Sequence, residues 1–200
     1  QAQLYKNVEY EVGLCSGGQY GSASAICVPI VLKGDVRGVI NLSDKLTELG
    51  VIGDFNESDL TLALMTANQA AMMLEMLHSV DVARGRERYS RDATAPDANN
   101  AELVAQASAF DLISRVTDLM TISGDLDQVL VAAINGACYL LGATRGSLML
   151  YDKEQGELRI RADMGMPAEV VDSVRVKPGQ GIAGRVLTTG DALLLTNAAR

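Results

Sequence analysis

Three groups of residues in this 200-residue chain have the types and spacing to do chemistry. Gly179-Gln180-Gly181-Ile182-Ala183-Gly184 fits GxGxxG, the pattern that lays a pyrophosphate on a helix N-terminus. Its surroundings do not suit that use. Pro178 stands where the preceding strand would finish, and the helix that follows is short, ending by Gly190. The expectation is a loop-to-helix turn whose glycines let the backbone crowd a pocket, with a helix start able to hold an anionic group. Cys15, Cys27 and Cys138 form the second group. They are odd in number and widely separated, which makes neither a disulfide framework nor a metal site and suits a reducing cytoplasm. Cys27 lies in an apolar run with no histidine near it, the setting of an inert core thiol. His78, the single histidine, has no carboxylate four residues away on its helix, which argues against a metal. The third group is Glu48, Asp54, Glu57 and Asp59, clustered at a loop and a helix start. Capping explains them better than a general acid–base pair. No group amounts to a catalytic site, so the chain is expected to be no enzyme; the sequence names no cofactor.

Composition narrows the field further. A net charge of −8 argues against a nucleic-acid or anionic-membrane surface, either of which needs clustered Lys and Arg. The longest apolar region, Leu60 to Leu77, is interrupted by Asn68, Gln69 and Glu75 and does not span a bilayer. The chain is 48% apolar yet has no Trp and 2 Phe, so its core must rest on Leu, Val, Ile, Met and Ala.

The elements that must position these residues are legible in order. Residues 4–12 suit a strand and 13–21 a loop rich in Gly and Ser. Ile26–Leu32 and Val36–Leu42 read as an antiparallel hairpin about Lys33-Gly34-Asp35. Pro29 suits an edge or bulge, and Gly38 marks a close approach by another element. After a loop over 46–54, Asn56 or Ser58 caps a helix from about Glu57 to about Arg88. Its apolar stripe runs through Leu60, Leu64, Ala67, Ala71, Leu74 and His78, widened by Met65, Met72, Met73, Met76 and Leu77. Residues 90–100 are a break around Pro96. Helices at about 101–121 and 126–141 follow, the latter capped by Ser123 or Asp125 and closed by Gly142. Strands at 147–151 and 158–162, a helical turn after Pro167, a strand at 174–176, a short helix ending at Gly190 and a strand at 193–196 complete the chain. The class is α+β, an antiparallel sheet flanked by helices.

Residues 26–89 resemble the C-terminal half of a GAF domain through Val28-Pro29-Ile30, Gly34, Gly38-Val39-Ile40-Asn41-Leu42, Asp44-Lys45, Phe55 and Asp59. Cyclic-nucleotide-binding GAF domains carry Asn-Lys, a gap, Phe, three residues, then Asp-Glu. Asp44 and Leu60 replace the Asn and the Glu, while Lys45, Phe55 and Asp59 match. The resemblance implies a Lys45–Asp59 ion pair holding the loop to the helix start. Leu126–Gly142, Gly146–Asp152 and Gly179–Gly190 are similar to the helix, first strand and pocket-covering turn of the N-terminal half. The order is inverted. Residues 1–89 would be the end of one GAF domain, 90–100 a linker, and 101–200 the start of a second, with both termini cuts through a longer tandem protein. The halves are expected to pair as one permuted unit, within a chain or between two.

The resemblance further implies a regulatory sensory module of a bacterial-type signal transduction protein. A small molecule would lie between the sheet and the turn, against Gly179, Gly181, Ile182, Ala183, Val186 and Met149. Partners would be that ligand, a second copy through the terminal helices, and an effector domain outside the chain, with no nucleic acid and no membrane. A ligand-free GAF dimerisation module is the alternative, and an enzyme of the free methionine sulfoxide reductase type a third reading.

Overall fold

The computed structural model describes residues 2–6, 24–47, 49–87 and 126–196, with the backbone alone over 2–6 and 76–87. The expectations for Cys15, the 13–21 loop, the 90–100 break, the 101–121 helix and the Ser123 or Asp125 cap lie outside these residues, as does the side chain of His78.

The centre of the molecule is the hairpin of β2 (Ala25–Leu32) and β3 (Asp35–Leu46). Its connection is a two-residue turn, shorter than the expected three, because Asp35 already pairs with Leu32. Lys33 and Gly34 both have positive φ, 54° and 87°, as the primed turns that match strand twist require. β3 pairs with β5 (Ala143–Asp152), which pairs with β6 (Glu157–Met164), all antiparallel. β6 in turn pairs with the two-residue β7 (Arg175–Val176). On the other side β2 pairs antiparallel with β8 (Ala192–Thr196), and β8 pairs parallel with β1 (Ala2–Lys6). The path is β1-β8-β2-β3-β5-β6-β7, with a short β4 (Ile52–Gly53) against the end of β3. The sheet is therefore continuous between the two halves of the sequence, at β2–β8 and at β3–β5. The parallel β1–β8 pair departs from a purely antiparallel expectation.

Pro29 sits in an interior strand without breaking it. β8 pairs with β2 only from Ala25 to Cys27, so the prolyl nitrogen lies two residues beyond the last pair, and a bulge follows between Ile30 and Val31. Gly38 faces Leu150 across the ladder, and a Cβ there would collide with the Met149 carbonyl oxygen and Leu150 Cδ2. That is the close approach the glycine permits.

Helices cover both faces. α1 (Glu57–Glu87) and α2 (Leu126–Leu141) pack side by side on one, burying Leu60, Ala63, Ala67, Leu130, Ile134 and Cys138 against Ile26, Val28, Ile40, Leu42 and Leu148. At about 1.5 Å per residue α1 is roughly 46 Å long. Its buried stripe is narrower than the methionines suggested: Met73 is buried, but Met65 and Met72 are 43% and 69% exposed. Small residues, Ala63, Ala67, Ala70 and Ala71, hold the sheet side instead, letting the helix lie close to β2. α2 ends as expected at Gly142, left-handed at φ 65°. α3 (Ala168–Ser173) follows Pro167, and α4 (Gly181–Thr189) closes on Gly190 at φ 72°. α4 covers the second face, where Ile182, Ala183 and Val186 join Ala25, Cys27, Val39, Met149, Leu158, Leu193 and Leu195 in a separate cluster.

Candidate functional site

Two places draw the motif residues together, one on each side of the hairpin. The first is the clamp at the end of β3. The sequence placed Asp44 and Lys45 beyond the strand, yet β3 runs on to Leu46. Asp44 adopts φ 56° inside the strand, a left-handed conformation that Asn and Asp tolerate better than other non-glycine residues. Asp44, which stands where the resemblance expects an Asn, therefore suits the backbone at this position. Asp44 is also held from β5: its carbonyl accepts from Thr144 Oγ1 at 3.1 Å, and its Oδ2 lies 3.3 Å from Arg145 Nε.

Next in the chain, Lys45 Nζ lies 2.5 Å from Asp59 Oδ2 and 5.6 Å from the centre of the Phe55 ring. Asp59 serves the helix start as well. Its Oδ2 accepts from the Asn56 backbone N–H at 2.8 Å, while Asn56 Oδ1 accepts from the Asp59 N–H at 3.0 Å. This is a reciprocal capping box with Asn in place of Ser or Thr and Asp in place of Glu. Of the two expected caps, Asn56 does the work. Phe55 is buried, and its N–H donates to Ser24 Oγ at 2.8 Å, joining the start of β2 to the start of α1. Lys45, Phe55 and Asp59 thus form one contact set. Asp44 stands apart from it, on Arg145. Of the acidic cluster, Asp59 serves both cap and clamp, Glu57 lies beside it in the first turn of α1, as the dipole favours, Asp54 is exposed, and Glu48 lies outside the described residues.

The second place is the sheet face under α4. Lys177, Gly179, Gln180 and Gly184 close the turn that leads into this helix. Gly179 N–H donates to Gly184 O at 2.8 Å, and Lys177 N–H donates to Gln180 Oε1 at 3.0 Å. A Cβ on Gly184 would strike the Lys177 carbonyl, so only glycine lets the helix fold back on its own turn. Gly179 and Gly181, at φ 78° and 66°, belong to the turn and lie nearer the surface, Gly179 exposed. Ile182, Ala183, Val186 and Met149 are buried together. The residues expected around a ligand therefore divide into a turn of glycines and an apolar cluster packed with the chain's own side chains.

One polar group in that face was missed by sequence reasoning. Asn41 lies on β3 between Val39 and Ser43, opposite Cys27 on β2 and Ser147 on β5. Its Nδ2 makes long contacts with Ser147 Oγ at 3.3 Å and Met149 Sδ at 3.6 Å. Ser43 and Ser147 are buried beside it. The signal was available: Val39-Ile40-Asn41-Leu42-Ser43 alternates, so Asn41 and Ser43 share the face of Val39.

The two described thiols lie on opposite faces, Cys27 in the cluster under α4 and Cys138 under α2. Burial pushes the Cys138 thiol from its ordinary 9.0 up to about 12 and drives Cys27 upward as well. Neither is poised as a thiolate. Among the described residues no cluster of His, Cys, Asp and Glu could hold a metal ion, and no helix is long and apolar enough to cross a membrane.

Comparison with a family of known proteins reaches the clamp at the end of β3 but not the turn before α4. Residues 13–74 match the GAF domain family. The chain is 26% identical over 90 residues to the nitrogen fixation protein VnfA of Azotobacter vinelandii, an alignment covering 45% of this chain and 17% of that protein. The chain thus spans a small part of that relative's length. No solved structure matches. Over residues 13–74, a stretch that takes in the β2–β3 hairpin, the clamp and the first half of α1, the chain is similar to GAF domains.

Proposed function

We propose that the chain is a regulatory sensory module in which a small molecule bound on the α4 face alters the packing of α1 on the other. The carrying observation is that β2 and β3 touch both helices, α1 from one side and α4 from the other. A shift of these two strands on the ligand side is then felt directly by α1. The Lys45–Asp59 clamp ties the same strand to the start of that helix, so a small movement of β3 becomes a tilt of an element roughly 46 Å long. The GAF match and the similarity to a nitrogen fixation protein support a role in regulation. In this reading the module is not an enzyme, works in the cytoplasm, pairs with a second copy through its long helices, and acts on an effector domain.

The test is a thermal-shift screen of the 200-residue chain against nucleotides, cyclic nucleotides, amino acids and other small metabolites. A ligand at 100 times its Kd adds about 2.7 kcal/mol of stability. If no compound shifts the transition, the sensor reading fails.

A ligand-free dimerisation module is the second reading. It is favoured by the packing of Met149, Ile182, Ala183 and Val186 among the protein's own side chains. Sedimentation that gives a dimer, together with a blank screen, would select it. The two described thiols, Cys27 and Cys138, lie on opposite faces of the sheet and are both raised in pKa, so they do not make the thiol pair that a sulfoxide reductase needs, while Cys15 lies outside the described residues.

A further inference from the structure

Asn41 Oδ1 is buried and has no hydrogen-bond partner among the described residues, in a residue only 7% exposed. The other end of the amide is poorly served, by contacts at 3.3 and 3.6 Å to a hydroxyl and a thioether. A buried carbonyl oxygen without a donor costs stability, and an apolar side chain at this position would pack with Val39 and Cys27 at no such cost. The neighbours on this face are Ser43 and Ser147, uncharged and buried, and the apolar cluster under α4. Among the described residues no Lys or Arg is buried on this face, and the nearest in register, Arg145, is tied to Asp44.

We propose that Asn41 is a ligand-binding residue that holds an uncharged small molecule by its carboxamide or lactam edge. The ligand N–H donates to Asn41 Oδ1. Its carbonyl accepts from Nδ2, which gives up two long contacts for one of ordinary length. Carboxamide and lactam groups carry a donor and an acceptor side by side, the complement of an Asn side chain. Ser43 and Ser147 complete the polar strip. An anionic group finds no cation there, so a phosphate or carboxylate on the ligand must point away from Asn41. The proposal rests on the sensor reading and specifies which chemical edge that sensor reads.

The experiment uses nicotinamide and uracil as carboxamide and lactam probes, with N,N-diethylnicotinamide and 1,3-dimethyluracil as counterparts that lack the N–H, and inorganic phosphate as an anionic control. The Asn41 side-chain NH2 resonance is followed in the 15N-labelled 200-residue chain, and Kd is measured for the wild type and Asn41→Leu. The expected result has three parts. A probe with a free N–H moves the Asn41 resonance, its alkylated counterpart and phosphate do not, and Asn41→Leu weakens that probe by at least about tenfold while leaving the unliganded Tm unchanged or higher. If Asn41→Leu does not fold, Asn41→Asp replaces it. An acceptor-only, charged side chain there should also weaken the probe. Equal binding of the alkylated counterpart, or equal binding to the variant, overturns the assignment of Asn41 and leaves the sensor reading standing. A still resonance with all four organic probes overturns it too, Oδ1 then being served by a structural water only. The sensor reading itself falls only if the wider screen is also blank.

Discussion

Lys45 on β3 and Asp59 on α1, fourteen residues apart, form an ion pair at 2.5 Å with side chains only 19% and 12% exposed. The pair is shielded enough that losing one partner strands a charge. It is not symmetric, because Asp59 also accepts the Asn56 N–H, whereas among the described residues Lys45 has only the carboxylate and the Phe55 ring. Lys45→Ala should cost about 2 kcal/mol and Asp59→Ala about 1 kcal/mol more, the difference being the cap. A double-mutant cycle in urea should give a coupling of about 1 kcal/mol or more. Strict additivity would mean that the two elements are held by Phe55 and the sheet alone.

Gly38 and Gly34 lie in the same hairpin and should respond differently to alanine. At Gly38 the added carbon meets the Met149 carbonyl, which belongs to a paired strand and cannot swing aside. Overpacking of this kind costs about 1–3 kcal/mol, and β3–β5 pairing should loosen. At Gly34 nothing lies within 4 Å and only the positive φ of 87° is at issue, so the cost should be about 1 kcal/mol. Amide hydrogen exchange at Val39 and Leu148 separates the two: it should accelerate more in the first variant than its global destabilisation explains.

How far the sequence could be read follows from these same residues. The hairpin, the start of α1 at Glu57, and α2 from Leu126 to Leu141 stood out because period, caps and Gly142 agree there. The last four residues of β3 did not, since Asp44 takes a conformation that reads as loop and the strand continues through it. β4 has two residues and carries no periodicity at all. Met65 and Met72 looked like core because Met is apolar, while the alanines that hold the close helix–sheet contact carry a weak signal. At the site, the glycine turn and its apolar neighbours were visible as a motif. Whether they enclose a ligand or pack on themselves depends on Cys27, Val39 and Leu193, which reach them from β2, β3 and β8. Asn41 reads as one residue of a strand, and only the register against Ser147 turns it into a buried polar group.

The buried thiols make the protein sensitive to alkali. Cys138 stays protonated in the fold up to about pH 12, whereas in the unfolded chain it ionises near its ordinary 9.0. Below that lower value both states hold the proton and the thiol has no effect on pH dependence. Between the two values the unfolded state loses the proton and the fold keeps it, so stability falls as pH rises, by up to about 1.4 kcal/mol per pH unit for this thiol. Cys27 acts in the same direction. Denaturation midpoints from pH 8 to pH 11 should decline, and Cys138→Ala should flatten the decline. A slope that the alanine variant leaves unchanged would assign the alkaline loss to other groups. Neither thiol should react with a maleimide faster than the protein opens.

The continuity of the sheet across the two halves of the sequence gives the last prediction. Ile40 and Leu42 of β3 share a buried cluster with Leu148 of β5, and β2 meets β8 through Ile26 and Leu194. Cutting the chain between residues 89 and 101 severs no described strand pair. It separates α1, β2 and β3 from α2, β5, β6 and β8, so each piece would present a bare strand edge and a half-covered apolar face. A piece of about 100 residues in that state buries too little surface to offset its chain entropy. Residues 1–89 and 101–200, expressed apart, should therefore each fail to show a cooperative thermal transition. Mixed at equal concentration they should regain one, with a midpoint that rises with concentration because the reunion is bimolecular. Cooperative unfolding of either piece alone would mean that the halves are independent domains and that the shared sheet contributes little to holding them folded.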